Sequence, residues 1–305
     1  RDIVNLEKDT LEKVEPKVII ERNVKIDTEA IERKIVEDST WFLNFVIKLL
    51  CYSSTGVTAA FTTLPLMTMT YDFYKTGEWE LSLPFLTKYF FDPFTRIMWP
   101  IVYLHQVWST FIAAFNVFGV DTFLYAFCTY MHMHFSILCH RFEHVVSDSV
   151  VETRQRLKQL IKRHQELIEL VNQVELMSSK STLFNIITSS VLICLSAFNV
   201  TFMDDSATII AFLTFLAMSL SQISLLCLFG DLLMRSSTKI SEGIYKCRWY
   251  DTDPGVKRSI FLILIRAQKP CRLTAADFAD LNLTAFTTIL SRSWSYFALL
   301  RTVYK

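Results

Sequence analysis

The chain has 305 residues, 51% of them hydrophobic and 14% aromatic, with a formal net charge of +1 and only six glycines. This composition is too apolar for an ordinary soluble domain and too charged for a chain lying wholly in lipid, and its near-neutral balance argues neither for nor against nucleic acid. The charges must therefore be segregated, and they are: no Asp, Glu, Lys or Arg occurs in 49–71, 97–120, 122–140, 181–203 or 206–230. Several of these windows reach the roughly 18 to 20 residues that a bilayer-spanning helix needs.

In chain order, residues 1–40 form a charged segment that opens at Arg1 with neither an initiator methionine nor a signal-peptide pattern. The natural beginning of the protein is expected to be missing. Periodicity and apolar runs then predict helices over 41–67, 107–142, 183–202 and 207–235, a short helix over 257–268, and a last one over 276–305. The domain order is a charged segment 1–40, membrane spans in 41–142 around an aromatic loop 70–106, a helical extension 143–182, two spans in 183–235, a region with one short helix in 236–275, and the terminal helix 276–305. Lys269-Pro270 marks the break before that last helix, because proline lacks the amide donor and clashes with the preceding turn.

Basic residues set the orientation. Segments 1–40, 141–182 and 235–258 hold eight, seven and six of them, whereas 70–106 holds three and 203–206 none. The first three segments are therefore assigned to the cytoplasm, with the visible N-terminus inside and the C-terminus outside. The outer loop carries Pro84, Pro93 and Pro100 among many aromatics, a composition suited to a folded lid at the membrane surface. It contains no cysteine, so no extracellular disulfide is expected. The sequon Asn199-Val-Thr201 falls close to the outer surface, too near the bilayer for a glycan. From Glu143 to Lys180 and from Asp231 to Lys257, turn residues are scarce until Asp253-Pro254-Gly255, so the membrane helices are expected to extend into the cytosol, as a subunit-joining element or as a solvated charged face.

The terminal helix carries a polar stripe. Thr284, Thr288, Ser291, Ser295, Leu299 and Thr302 recur at helical spacing on one face, with Arg292 beside them. Hydroxyls and a guanidinium at membrane depth need water or protein partners. The stripe suits either tight helix packing or the wall of a wet conduit, and Arg292 favours the second. Leu299 interrupts it where a ring of leucines from several subunits would exclude ions by dewetting. The pore and gate candidates are thus Thr284, Thr288, Ser291, Ser295, Leu299 and Thr302.

A ligand site is expected between the outer halves of the spans. Ser53, Gly56 and Ala60 share a face of the first helix, where small side chains leave room, and Phe111, Phe115, Phe118, Phe212 and Phe215 supply opposing aromatics; the same spacing also suits ordinary core packing. Chemistry is poorly supported. His140 and His144 stand four apart, with His132 and His134 upstream, but a di-iron membrane enzyme needs several such boxes and the chain has six histidines in all. They are assigned as satisfied polar residues. Without a nucleophile elbow, a phosphate loop or a clustered Cys-x-x-Cys, no enzyme activity, catalytic residue, metal or cofactor is expected.

The C-terminal third also carries a recognisable order of residues. Leu226 to Leu233 (LCLFGDLL), Ser237, Ile240, Ile244-Tyr245, Trp249, Leu264 to Pro270 (LIRAQKP) and Ser295 to Arg301 (SYFALLR) resemble insect odorant receptors. Phe91-Asp92-Pro93-Phe94, Trp99-Pro100, His105 to Trp108 and Gly119 to Thr122 resemble moth and butterfly members. The resemblance covers nearly the whole chain. It implies an all-α polytopic bundle of seven spans, of which helices three to seven are visible here, with a divided last helix. It also implies an odorant-gated, non-selective cation channel of the sensory-neuron plasma membrane, with the pore constriction on Leu299 and Thr302 near the outer mouth. The implied partners are an olfactory co-receptor in a hetero-oligomer, expected as a tetramer, a small volatile ligand and the lipid bilayer, with no nucleic acid. Glu143 to Lys180 has no room for the co-receptor's long insertion, which implies an odour-tuning subunit. The competing readings are a chemoreceptor coupled to a G protein, a transporter or a membrane enzyme.

Overall fold

The computed structural model describes residues 2–85, 87–202 and 206–303, with side chains described from 28 onward except at 206–208. The predicted turn at 203–206 and the predicted helix end at Lys305 fall largely outside this set. Six α-helices account for most of the chain: α1 (Asp2–Thr76), α2 (Met98–Glu143), α3 (Val150–Phe202), α4 (Ser206–Lys246), α5 (Pro254–Ala267) and α6 (Leu283–Val303). Among the described residues there is no strand, only an isolated antiparallel bridge between Thr274 and Asp280. Thr28–Thr76, Met98–Glu143, Val150–Phe202 and Ile209–Lys246 are long and apolar enough to cross a membrane. The 21 residues of α6 would span about 30 Å, but hydroxyls and arginines keep it outside that apolar set.

Local chemistry explains where the helices stop. Gly77 follows α1 with φ of 77° and donates its N–H to the Phe73 carbonyl at 2.9 Å, the left-handed conformation that glycine adopts without steric cost. Pro100 sits in the first turn of α2, where its missing donor costs nothing. Asp253 caps α5 by accepting from Gly255 N at 3.1 Å, with Pro254 as the first helical residue. Pro270 lies past the end of α5, as the sequence predicts.

Several boundaries differ from expectation, and α4 runs on to Lys246 rather than ending at 235. The charged N-terminal segment and the first span are one helix, and α1 and α2 both run into the predicted outer loop, which shortens to 77–97. The extension predicted from 143 breaks at 144–149, because Ser147 and Thr153 satisfy one another: Ser147 N donates to Thr153 Oγ1 at 2.9 Å, and that hydroxyl donates back to Ser147 O at 3.1 Å. The terminal helix begins at Leu283 rather than Ala276. Ala276 and Asp277 have φ of 50° and 58°, incompatible with a right-handed helix. Leu281 N bonds to Leu273 O at 2.9 Å across the loop, and Asn282 Oδ1 then accepts from Ala285 N at 2.8 Å to start α6.

The chain divides into two compact units. The first comprises Arg1–Phe42, Thr129–Asn172 and Leu233–Cys271. Its buried side chains include Phe135 and Phe142 of α2, Leu167 of α3, Ile240 and Ile244 of α4 and Ile260 of α5. Gly243 is needed there, since a Cβ would lie 2.5 Å from the Cys139 carbonyl oxygen. Arg141 donates to both oxygens of Glu32 at 2.7 and 2.9 Å, which holds the Glu32 carboxyl below its ordinary range. The second unit comprises Leu43–Cys128, Gln173–Leu232 and Arg272–Lys305. In it Ile193, Ile223 and Cys227 form a buried cluster against which Phe286 and Ile289 of α6 pack.

Candidate functional site

Within the second unit, α1 and α2 border an open cavity of about 430 Å³, inside the range of about 300–1,000 Å³ usual for small-molecule sites, with Phe111 and Phe115 on its exposed side. One wall is Cys51, Ser54, Thr55, Thr58, Ala59 and Thr62 of α1, and the other is Val107, Phe111, Ala114, Phe115 and Phe118 of α2. Thr62 Oγ1 donates to the Thr58 carbonyl at 2.9 Å. The hydroxyls of Ser54, Thr55 and Thr58 have no hydrogen-bond partner among the described residues. The cavity thus pairs a row of short hydroxyls with a row of phenyl rings, an environment for an apolar molecule carrying one or two polar atoms.

Of the residues singled out by the sequence, Phe111, Phe115 and Phe118 line this cavity, whereas Ser53, Gly56 and Ala60 do not. Phe215 packs at 4.8 Å, ring centre to ring centre, on Phe61 of α1, which in turn stacks at 6.4 Å on Phe85 of the 77–97 segment. Phe212 is half-buried on α4 and does not line the cavity.

The 77–97 segment is folded against the start of α2. Gln106, 5% exposed, accepts from Phe85 N at 3.0 Å and donates to Phe85 O at 3.0 Å and to Tyr89 Oη at 3.1 Å. Trp99 Nε1 donates to Ser82 O at 2.8 Å, and the Tyr103 hydroxyl donates to the Thr62 carbonyl on the cavity wall. Leu83, Val102 and Tyr103 are buried together with Tyr89, Trp99 and Val107 around them. Proline and aromatics suggest such a lid in the sequence, but the central part of Gln106 could not be read from pattern, since a single glutamine in an apolar helix has no periodic signature.

A second polar feature stands in the same unit. Asp121 is 8% exposed and accepts from Gln222 Nε2 of α4 at 2.7 Å. It lines a cavity of about 210 Å³ with Ser178, Ser181, Thr182 and Asn185 of α3. Its signal in the sequence is plain, because it is the single Asp, Glu, Lys or Arg in 97–140.

On α6, Thr284, Thr288, Ser291, Ser295, Leu299 and Thr302 are all exposed, while Ser293 and Phe297 are buried and Phe286 and Ile289 join the core cluster. The stripe therefore points away from the packing of its own unit. Thr288 donates to Thr284 O at 2.9 Å, Ser295 to Ser291 O at 3.0 Å and Thr302 to Ala298 O at 2.9 Å. With these three hydroxyl protons used within the helix, their oxygens present lone pairs outward, and such a row can solvate a passing cation. Leu299, 63% exposed, interrupts that row with an isobutyl group.

The helix is set in place by the 273–281 loop. Glu175 of α3 accepts from Thr274 N at 2.7 Å and from its hydroxyl, and Ser179 Oγ accepts from Ala276 N at 3.0 Å. Gly230 of α4 lies against Leu281.

Comparison with known proteins is consistent along the chain. The family model described as 7tm Odorant receptor matches residues 19–293. Odorant receptor 13a of Drosophila melanogaster is 31% identical over 229 residues, which are 68% of this chain and 54% of that protein. Putative odorant receptor 92a of the same organism is 26% identical over 287 residues, 92% of this chain and 69% of that protein. The first of these matches spans about half the length of the relative. Among solved structures, the insect olfactory receptor OR5 from Machilis hrabei in complex with eugenol superposes with a TM-score of 0.78 at 19% identity, covering 88% of this chain and 68% of that one. Another structure of the same receptor superposes with a TM-score of 0.72.

Proposed function

The chain belongs to the 7tm odorant receptor family, and from that premise we propose that it is the odour-tuning subunit of a ligand-gated, non-selective cation channel. The observation that carries this reading is the outward hydroxyl row of α6 with Leu299 set into it. In the proposed assembly this face lines a central conduit. The ring containing Leu299 excludes water while closed, and the oxygens on either side solvate cations once it widens.

A volatile, mostly apolar molecule binds the cavity between α1 and α2, against Phe111, Phe115 and Phe118, with a hydrogen bond to one of the free hydroxyls of Ser54, Thr55 or Thr58. It opens the channel by binding the dilated state more tightly than the closed one, so no covalent chemistry is involved. Eugenol, the ligand in the OR5 complex, has this character and is a reasonable first probe. The partner is an olfactory co-receptor, with the charged helices of the first unit on the cytoplasmic side.

Recording from cells that express this protein with the co-receptor, against a panel of volatiles, tests the reading. Ligand-evoked cation current that persists when G-protein signalling is blocked supports it. Current that vanishes under that block replaces it with a metabotropic receptor.

A further inference from the structure

His140 and Glu143 close α2, and His144 is the first residue past its end, giving the pattern His-x-x-Glu-His across the helix C-terminus. Spacings of three and four residues put all three on one face. One ligand-type atom from each lies within 4.8 Å of the others, and the two imidazole rings are 4.7 Å apart. The sequence alone assigns these histidines as satisfied polar groups. His140 is not: its Nε2 is buried with no hydrogen-bond partner among the described residues.

The hydrogen bonds around the cluster leave the right atoms available. His144 Nδ1 lies 3.1 Å from the His140 carbonyl oxygen, which can only accept, so Nδ1 carries the proton and Nε2 the lone pair. A histidine ligand whose other nitrogen donates to a backbone carbonyl is the usual arrangement at metal centres. Glu143 is split in the same sense. Its Oε1 accepts from Lys246 Nζ at 3.2 Å, while Oε2 faces His140 Nδ1 at 3.7 Å. In the tautomer with the proton on Nε2, His140 Nδ1 offers its lone pair beside Glu143 Oε2, and one cation can bridge the two atoms. The separation is close to the roughly 3.4 Å between neighbouring ligands of a tetrahedral ion with bonds of about 2.0–2.1 Å.

Neighbouring charges do not fill the place. Arg141 is committed to Glu32 through two short bonds, and Lys246 occupies the other carboxylate oxygen. The last carbonyls of a 46-residue helix add a negative end that favours a cation here.

We propose that His140, Glu143 and His144 form a site for a borderline divalent transition metal, of which Zn²⁺ is the representative, with water in the fourth position. Two imidazoles and a carboxylate suit Zn²⁺ or its neighbours and not Mg²⁺ or Ca²⁺, which take oxygen ligands. The site belongs to the first unit, whereas the cavity and α6 belong to the second, and it stands independently of the channel reading.

The test is calorimetric titration of the purified full chain, in detergent micelles, with ZnCl₂ alone. The expected result is one Zn²⁺ per chain, unaffected by millimolar Mg²⁺, with affinity falling at least about tenfold in His144→Ala and in Glu143→Gln. His144 is exposed, so its variant should keep the helical circular dichroism of the parent, and that spectrum is measured alongside. Absence of Zn²⁺ binding by the folded parent chain overturns the proposal. So does an isotherm unchanged in both folded variants, which would put the metal on other histidines or on the free cysteines.

Discussion

Gly230 and Leu281 approach backbone to backbone: a Cβ on Gly230 would stand 2.4 Å from the Leu281 carbonyl oxygen and 2.7 Å from its Cβ. Neither atom belongs to the flexible end of a side chain, so nothing can move aside cheaply. Leu281 closes the loop that leads into α6, which makes this contact the seat of the terminal helix. Gly230→Ala should therefore destabilise the protein by about 1–3 kcal/mol, the usual cost of overpacking. Gly119→Ala is the control, since a Cβ there meets nothing within 4 Å and a helical glycine gains up to about 1 kcal/mol on becoming alanine. Thermal unfolding in detergent should rank Gly119→Ala at or above the parent and Gly230→Ala several degrees below it.

Leu299 is the next position to change. If its isobutyl group keeps the closed conduit dry, Leu299→Ser should raise ligand-independent current in cells co-expressing the co-receptor. A tenfold rise corresponds to about 1.4 kcal/mol lost from the closed state. Substitutions at Thr288, Ser291 and Ser295 should alter conductance or ion preference more than substitutions at Phe286 or Leu290, which lie on the half-buried side. Unchanged basal current would remove Leu299 from the gate, and equal effects on both faces would undo the conduit.

The ligand cavity makes a prediction that separates two faces of one helix. Phe115→Ala and Thr58→Val, both on the cavity wall, should raise the half-maximal odorant concentration by about tenfold each, as loss of one ring contact or one hydrogen bond implies. Changes at Ser53 and Ala60, which lie off that wall, should leave the dose–response curve in place. The reverse pattern would put the ligand on the other side of α1.

Why that face was hidden is instructive. Between positions 53 and 63, α1 carries Ser53, Ser54, Thr55, Gly56, Thr58, Ala59, Ala60, Thr62 and Thr63, so short side chains surround the helix and several stripes satisfy a period of 3.6. Only packing chooses among them. The opposing row of Phe111, Phe115 and Phe118 was legible because those rings recur at spacings of four and three residues. The spans themselves were legible from charge-free runs, and the break at Pro270 from the chemistry of proline. The start of α6 was not. Ala276 and Asp277 are ordinary helix residues in sequence, and their positive φ follows from contacts with Glu175 and Ser179, about a hundred residues away. The cluster at His140, Glu143 and His144 shows the same limit, since spacing proposes it but only the bond to the His140 carbonyl and the clasp of Lys246 say which nitrogen and which oxygen are free.

The first unit carries a pH dependence that can be worked out in sign. His164 of α3 is 4% exposed, and burial, assisted by the nearby Arg266 charge, pushes its pKa down to about 4. An unfolded chain takes up a proton at this histidine near pH 6.5, whereas the folded one stays neutral until about pH 4. The unfolded state therefore binds more protons across that window, and stability falls as pH drops through it, levelling off below. The shift sets an upper bound of about 3 kcal/mol on this loss. Glu32 adds to the same trend at lower pH: its lowered pKa means that the stability from its Arg141 pair is present above the ordinary carboxylate range and is lost as pH falls through the folded value. Both groups thus predict an acid-labile unit. His164→Gln should flatten the decline between pH 6.5 and pH 4 while leaving stability at pH 7.5 lower or unchanged. Measuring thermal midpoints of parent and variant in detergent at steps across this range isolates the His164 contribution as their difference, and parallel curves would show that His164 exchanges its proton equally in both states.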